Sequence, residues 1–220
     1  MIRVDQLYDL THTIAGEYLS RFTYPWEAVE GIHDLILELG PKLGDDYTEI
    51  APQVWVHKTA EIAPTAYVGE ACIIGPYTEV KHCAYVREDS LVGANCVIGN
   101  SVELKNVILF DNVQVPHFNY VGDSIFGYKA HMGAGSVTSN VKSDYSLVTV
   151  RDGEAAFETG RMKLGAMLGD YAEIGCNSVL NPGTVVGRHS NIYPLSSVRG
   201  VVPPECIWKT GGVLVKKEKR

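Results

Sequence analysis

Residues 56–104 read VHKTAEIAPTAYVGEACIIGPYTEVKHCAYVREDSLVGANCVIGNSVEL and repeat with a period of six. Every sixth residue is a branched aliphatic: Val56, Ile62, Val68, Ile74, Val80, Val86, Val92, Ile98 and Leu104. The position four residues after each of the first eight is small: Ala60, Ala66, Cys72, Thr78, Ala84, Ser90, Cys96 and Val102. The period returns later with apolar residues at Met162, Leu168, Ile174, Leu180, Val186, Ile192 and Val198.

A period of six does not fit an amphipathic helix, whose apolar stripe recurs near 3.6 residues. It fits a short strand followed by a turn, with one aliphatic side chain inside and one small residue at a tight bend. Three such units make a triangular coil of about eighteen residues, and stacked coils make a parallel β-helix. Successive coils pair at a strand spacing of about 4.8 Å. The sequence therefore predicts an all-β solenoid over residues 51–203.

The segments on either side of the repeat differ from it. Residues 1–50 are predicted to be a helical cap and linker, with a first helix up to about residue 22 and a second that opens at Pro25 and ends at Gly40-Pro41. We expect these helices to cover the open end of the solenoid, which would otherwise expose unpaired strand edges. Residues 204–220 are predicted to form an irregular tail.

Two stretches interrupt the period. After Leu104 the next residue in phase is Phe126, and 126 − 104 = 22 is not a multiple of six. Residues 106–125 are therefore expected to depart from the plain coil. Residues 139–161 are expected to be an inserted loop that projects from the prism as a hairpin, with its turn at Asp152-Gly153. Met162 is expected to resume the coil.

Composition narrows the function classes. The net charge of −7 argues against general nucleic-acid binding. No stretch has the length and apolarity of a membrane span, and Asp5 and Asp9 interrupt the first ten residues, so no signal peptide is predicted. The five cysteines include no CxxC, and Cys72 and Cys96 take small inward positions. These features favour a reduced, cytoplasmic protein.

Basic residues replace glycine at one corner of the repeat. Arg87 and Lys105 each follow an aliphatic position, and the eighteen residues between them are one full coil. We expect them to stand one above the other, where their charges repel unless an anion such as a phosphate or diphosphate lies between them. The alternative is that both side chains point into solvent. His117 follows twelve residues later, and it is either a group that titrates near neutral pH or a structural histidine.

Beyond the period, four motifs resemble a known enzyme family. Gly99–Lys105, Val115–Asp123 and Gly133–Thr138 resemble the hexapeptide-repeat acetyltransferase domain of bifunctional UDP-N-acetylglucosamine pyrophosphorylase/glucosamine-1-phosphate N-acetyltransferases. Glu158–Ala166 is similar to archaeal-type sugar-1-phosphate nucleotidylyltransferases with the same C-terminal domain. The resemblance covers roughly residues 24 to 205 and implies a left-handed helix. Residues 1–50 are too few for the nucleotidylyltransferase half, so that half is not expected here.

The resemblance implies a function and a set of site residues. It implies N-acetyl transfer from acetyl-CoA to an amino-sugar phosphate or a nucleotide-sugar, without a metal, in a homotrimer with sites between neighbours. His117 is the implied general base; the implied substrate-binding residues are Arg87, Lys105, Tyr120 and His131, and the implied acetyl-CoA residues are Ala134, Asn140 and Lys142. To the substrate set we add Arg161 and Lys163, whose charges follow the expected hairpin. Two departures affect the loops: His131 replaces an asparagine of the family, and residues 140–143 do not read Asn-Tyr-Asp-Gly.

Two other functions stay open from the sequence. A non-catalytic subunit could bind the same sugar phosphate or nucleotide-sugar and regulate or scaffold a separate enzyme, and the altered 140–143 loop favours this alternative. A γ-type carbonic anhydrase would bind zinc through three histidines. His82 and His117 lie 35 residues apart, close to two coils, but Gly122 stands where that family has its third ligand. Release of free thiol from acetyl-CoA distinguishes the enzyme from both alternatives.

Overall fold

The computed structural model describes residues 2–218 and confirms the left-handed parallel β-helix. Its strands form three faces, which we call the groove face, the tyrosine face and the covered face. The nine strands of the groove face are Glu61–Ile62, Glu79–Val80, Val97–Asn100, Gln114–His117, His131–Met132, Glu173–Ile174, Asn191–Ile192, Cys206–Lys209 and Val213–Lys216.

The other two faces belong to one fourteen-stranded sheet. The strands of the tyrosine face are Tyr67–Val68, Tyr85–Val86, Val137–Thr138, Val179–Leu180 and Ser197–Val198. The strands of the covered face are Tyr47–Ala51, Val54–His57, Cys72–Ile74, Ser90–Val92, Ala166–Leu168, Thr184–Val186 and Val201–Val202. The seven-residue strands Glu103–Leu109 and Tyr120–Phe126 run from the tyrosine face onto the covered face and join the two.

The expected departure from the plain coil after Leu104 is a change of coil length, and the segment keeps the regular fold of the coil. The inward aliphatics continue as Leu109, Val115, Val121 and Phe126, in steps of five, six, six and five residues. Each five-residue step lies where a seven-residue strand turns the corner between the tyrosine and covered faces. Two coils therefore have seventeen residues, and Leu104 pairs with Val121 in an unbroken parallel register.

The N-terminal segment is helical but consists of short pieces. Its α-helices are Val4–Leu7, Gly16–Leu19 and Ile32–Leu39, and its 3₁₀ helices are Leu10–His12, Pro25–Gly31 and Gly40–Lys42. The expected two long helices are thus replaced by six short ones. Pro25 opens the longest 3₁₀ helix rather than an α-helix, and Glu27 accepts hydrogen bonds from the backbone N–H groups of Thr23 and Tyr24 there.

This segment lies along one flank of the prism, not over its open end as predicted. The Asp9 N–H donates to the Asp170 carboxylate at 2.8 Å, and the Tyr8 hydroxyl donates to the Ile125 carbonyl at 3.2 Å. At the other end of the segment, Gly40 packs against the Trp55 ring in the first coil. The segment therefore runs back along the stack from the coil of Asp170 to the coil of Trp55.

Outward positions of the covered face explain why the segment packs there. The outward residue of each strand on this face is apolar and fully buried at Ile73, Leu91, Ile108 and Ile125. Equivalent outward positions on the groove face are mostly polar, as at Glu79. The covered face therefore offers an apolar row, and its burial under the helices removes it from water.

The inserted loop contains the predicted hairpin. Thr149–Asp152 pairs with Ala155–Glu158 in antiparallel register, and Gly153 takes a φ of +61° in the turn. The coil resumes at Ala166–Leu168 rather than at Met162, whose side chain is 49% exposed. The loop is therefore a few residues longer than predicted.

Both ends of the solenoid finish on antiparallel strands. Tyr47–Ala51 pairs with Val54–His57, and Cys206–Lys209 pairs with Val213–Lys216. The expected irregular tail is thus a β-hairpin over much of its length, while Lys219 and Arg220 lie outside the described residues. No helix within residues 2–218 combines the length and apolarity needed to cross a membrane.

Candidate functional site

His117 lies at the corner between the groove and tyrosine faces, which we call the histidine edge. The corner is held by Asn119, which is buried: its Oδ1 accepts from the His117 N–H at 3.0 Å, and its Nδ2 donates to the Gly133 carbonyl at 2.8 Å. Phe118 takes a φ of +51° and is 64% exposed. The His117 side chain is exposed, and no ring nitrogen has a hydrogen-bond partner among the described residues. Its imidazole is therefore accessible to a ligand.

Ala134 lies one coil further along the same edge. The Gly135 N–H donates to the His117 carbonyl at 2.9 Å, and the Asn177 N–H donates to the Ala134 carbonyl at 2.9 Å. These bonds stack His117, Ala134 and Cys176 at a strand spacing of about 4.8 Å. Within residues 2–218 the Ala134 N–H has no hydrogen-bond acceptor. A free backbone donor therefore stands beside the exposed imidazole.

Tyr120 faces outward from the tyrosine face and lies five residues after Val115, the inward residue of the preceding groove-face strand. Its hydroxyl lies over Gly122, where a Cβ would come within 2.4 Å of it. Desolvation raises the pKa of the Tyr120 hydroxyl, and the charges of Asp123 and Glu103 add to the rise. The phenol is therefore neutral at physiological pH and is able to donate a hydrogen bond.

Asn140 contacts Tyr120 rather than Ala134. Its Nδ2 donates to the Tyr120 hydroxyl at 3.1 Å and to Asp123 Oδ2 at 2.6 Å. Asn106 donates to the other carboxylate oxygen of the buried Asp123 at 2.9 Å. The structure thus places Asn140 at the corner between the tyrosine and covered faces, which we call the cation edge, across the tyrosine face from Ala134.

Arg87 and Lys105 lie on the cation edge in the register that their spacing predicts. Val86 pairs with Leu104, so the two cations occupy neighbouring coils. The Arg87 guanidinium lies 5.8 Å from the centre of the Tyr85 ring and donates to Glu103 at 2.9 Å. Because Tyr85 and Glu103 face outward from the tyrosine face, Arg87 reaches back across that face toward Tyr120.

The anion between the two cations is a carboxylate of the chain itself. Glu88 lies 3.5 Å from Arg87 Nε and 3.5 Å from Lys105 Nζ. Burial raises the pKa of the Glu88 carboxyl, but a bond from its own backbone N–H and the charges of Arg87 and Lys105 outweigh this, and its pKa is lowered. Sequence reasoning did not anticipate Glu88, because spacing gives backbone positions and not the direction of a flexible side chain.

The remaining predicted residues are distributed over other surfaces. His131 lies on the groove face, where its Nδ1 is 2.9 Å from Glu173 Oε2. Arg161 is 3.3 Å from Glu30 of the N-terminal segment. Lys163 forms a β-bridge with Val141 behind Asn140. Lys142 donates to the Leu147 carbonyl at 2.6 Å and so holds its own loop.

A groove that sequence analysis missed begins beside the histidine edge. It has a volume of about 1020 Å³, and its lining includes His131 and Cys176 at one side. Lys209, Lys216 and Lys217 of the C-terminal hairpin line it as well. These three lysines of the segment expected to be an irregular tail thus contribute positive charge to this groove. The clustering of basic residues near the C-terminus could have indicated an anion-binding surface. The hairpin that turns these residues toward the groove face could not be read from the sequence.

No group of three His, Cys, Asp or Glu side chains suited to a metal ion occurs within the described part of the chain. His82 and His117 share the histidine edge with Asn100 between them: the Asn100 amide donates to the His82 carbonyl, and Asn100 pairs with His117. The His82 ring nitrogen Nδ1 is 2.8 Å from the Thr65 hydroxyl.

Comparisons with known proteins agree with the resemblance seen in the motifs. A family model described as the GMPPB C-terminal domain matches residues 71–156. A bifunctional sugar-1-phosphate nucleotidylyltransferase/acetyltransferase of Sulfurisphaera tokodaii is 29% identical over 77% of this chain and 43% of its own length. A bifunctional protein GlmU of Methanococcus maripaludis is 30% identical over 92% of this chain and 50% of its own length.

The chain spans about half the length of the curated relatives it matches. Among solved structures, AntD, an N-acyltransferase from Bacillus cereus in complex with dTDP and coenzyme A, gives a TM-score of 0.46 at 14% identity, covering 80% of this chain and 93% of AntD. The fold and motifs therefore define a hexapeptide-repeat β-helix. More particularly, the chain resembles the C-terminal acetyltransferase part of the bifunctional sugar-1-phosphate enzymes.

Proposed function

We propose that the protein transfers an acetyl group from acetyl-CoA to the amine of an amino-sugar phosphate or nucleotide-sugar. The observation that carries this proposal is that an exposed imidazole at His117 and a backbone N–H at Ala134 in the next coil both lack a hydrogen-bond partner among residues 2–218. An accessible imidazole can act as the general base in amine acylation, and a free backbone N–H can stabilise the tetrahedral oxyanion.

The chemistry follows from these two groups. The amine nitrogen attacks the thioester carbonyl carbon and forms the C–N bond, while His117 takes the proton that the nitrogen loses. The Ala134 N–H donates to the oxygen that becomes negative. When the tetrahedral adduct collapses, the C–S bond breaks, coenzyme A leaves as a thiolate, and the proton held by His117 can neutralise it. Amide and free thiol are the products.

The groove supports acetyl-CoA as the donor. It reaches the histidine edge at Cys176, in the coil after Ala134, and it carries three lysines from the C-terminal hairpin. Coenzyme A is a long molecule with several phosphate charges, and the lysines of a groove that ends beside a general base suit it, although Glu173 and Glu218 belong to the same lining. Ala134 stays in the proposed donor site. Asn140 and Lys142 lie away from the groove and are proposed only to shape the inserted loop at the cation edge.

The tyrosine face supports a phosphorylated acceptor. Arg87, Lys105 and Tyr120 converge there within one or two coils, and His117 borders the same face on its other side. Cations of this kind recognise phosphate through charge-assisted hydrogen bonds. The relative named as a bifunctional sugar-1-phosphate nucleotidylyltransferase/acetyltransferase supports the same acceptor class.

We propose a homotrimer because the tyrosine face exposes aromatic side chains that a neighbouring chain could cover. Tyr67 is 60% exposed and Tyr85 is 46% exposed, and their rings contact edge to face at 5.6 Å. The N-terminal helices already occupy the covered face, so a neighbouring chain would contact the tyrosine or groove face.

All five cysteines are free thiols, as expected for the reducing cytoplasm in which we place the protein.

The test is an assay of free thiol released from acetyl-CoA in the presence of a panel of amino-sugar phosphates and nucleotide amino-sugars. The proposal expects release that depends on one acceptor and is accompanied by an acetylated product. Tight binding of an acceptor without thiol release would instead identify a non-catalytic binding subunit. Zinc-dependent hydration of CO₂ would identify the carbonic anhydrase alternative.

A further inference from the structure

Glu88 occupies the position that the proposed function assigns to a phosphate. Its two carboxylate oxygens each lie 3.5 Å from a cation, one from Arg87 Nε and one from Lys105 Nζ. Its side chain is 44% exposed. Because the carboxylate is the more exposed partner in both pairs, at 44% against 31% for Arg87 and 23% for Lys105, it can rotate into water while the two cations stay in place.

The hydrogen bonding of Arg87 is incomplete while Glu88 is in place. Within residues 2–218, Arg87 Nε is the one buried side-chain nitrogen or oxygen that has no hydrogen-bond partner. Its Nη1 donates to Glu103 at 2.9 Å, whereas Glu88 neutralises the charge of Nε from 3.5 Å without accepting its proton. A buried donor without an acceptor is unfavourable, so a ligand that supplied the acceptor would gain that energy.

Phosphate has the properties that Glu88 lacks. A phosphate monoester carries between one and a half and two negative charges at neutral pH and offers three acceptor oxygens. It can accept from Arg87 Nε and Lys105 Nζ together, which are held one strand spacing of about 4.8 Å apart at the backbone. A neutral sugar offers no charge with which to displace a carboxylate from two cations.

We propose that Glu88 is a displaceable counter-ion: it neutralises Arg87 and Lys105 in the free protein, and the phosphate of the acceptor takes its place on binding. This inference rests on the proposed function for the identity of the acceptor. It makes Glu88 a specificity-determining residue, because an acceptor must carry a phosphate to compete with it. Unphosphorylated amino-sugars are then excluded even though their amine could reach His117.

The test measures binding of glucosamine 1-phosphate and of inorganic phosphate to the intact protein by titration calorimetry. Glu88→Gln keeps the size of the side chain and removes the competing charge. It is expected to tighten binding of both ligands by about tenfold, since two weak ion pairs no longer have to be broken. If turnover is measured, KM should fall by a similar factor with kcat nearly unchanged, the pattern of a change in uniform binding.

Asp89→Asn is the matched control. Asp89 is the next residue and carries the same charge, but its carboxylate lies 2.7 Å from His33 and contacts neither cation. Its φ of +63° suits asparagine. This variant should bind both phosphates as the parent does. Equal tightening in both variants would show a general charge effect and overturn the proposal.

The remaining outcomes are also decisive. Unchanged or weaker phosphate binding in Glu88→Gln would show that Glu88 orients the cations rather than competing for them. Absence of phosphate binding in every variant would likewise overturn the inference. Tightening without any thiol release from acetyl-CoA would uphold the role of Glu88 and refute the proposed transferase activity, so the two failures are distinguishable.

Discussion

Cys176 provides a residue-scale test of the groove. Cys83 and Cys176 are exposed on the histidine edge, whereas Cys72 and Cys96 are buried in the prism. Burial raises the pKa of the Cys72 and Cys96 thiols to about 12. Because the thiolate is the reactive form, a thiol reagent at pH 7.5 should modify Cys83 and Cys176 and leave Cys72 and Cys96 intact until the protein unfolds.

Coenzyme A should then protect one of the two exposed thiols. Cys176 lines the groove, and Cys83 lies on the same edge several coils away from it. Peptide mass spectrometry after modification in the presence of coenzyme A should show slower labelling of Cys176 and unchanged labelling of Cys83, which acts as the internal control. Equal labelling of both with saturating coenzyme A would place the donor elsewhere.

At the residue scale, the sequence predicted backbone positions well and side-chain partners poorly. The eighteen-residue spacing placed Arg87 and Lys105 in adjacent coils because coil geometry alone sets that register. It could not show that Glu88 lies between them, since the direction of an exposed glutamate depends on its neighbours in space. For the same reason, the contact of Asn140 with Tyr120 appeared only in the structure.

At the scale of elements, the N-terminal segment is expected to stabilise the fold through the covered face. Ile108 points outward from its strand and is fully buried, because Ile32–Leu39 packs over that part of the sheet. Ile108→Ala should lower the free energy of unfolding by about 2–5 kcal/mol, the usual cost of such a truncation in a core. Denaturant unfolding measures the change.

Ile50→Ala is the control for that measurement. Ile50 is also in a strand, but its side chain is 56% exposed. The same chemical change there should alter stability by no more than about 0.5 kcal/mol. A similar small effect for Ile108→Ala would mean that the helices do not cover this face in solution.

The strands could be predicted from the sequence where the hexapeptide period is regular. They were harder to predict where the period changes. A single residue lost at the cation edge shifts the phase of every later position, so two seventeen-residue coils looked like an irregular segment. The placement of the helices could have been inferred from the outward apolar row of Ile73, Leu91 and Ile108. That row was hidden because each of its members directly precedes an inward aliphatic position.

At the scale of the whole molecule, the account predicts that three chains assemble into a trimer. The proposed site borders two exposed faces, and a neighbouring chain would enclose it and exclude water. Sedimentation at micromolar concentration should give a mass three times the chain mass of 24.1 kDa. If the tyrosine face carries the contact, Tyr85→Glu should weaken the trimer by placing a charge there, whereas Tyr77→Glu, at the exposed corner between the covered and groove faces, should not. A parent protein that sediments as a clean monomer would remove the intersubunit site.

The most direct test of the account compares turnover and binding in His117→Ala. The acceptor contacts at Arg87, Lys105 and Tyr120 stay intact in this variant, so the dissociation constant of glucosamine 1-phosphate should change less than twofold. Loss of the general base should lower the rate of thiol release from acetyl-CoA by roughly 10²–10⁴-fold. A variant that releases thiol at the parental rate would show that His117 has no part in catalysis and would contradict the proposed mechanism at its centre.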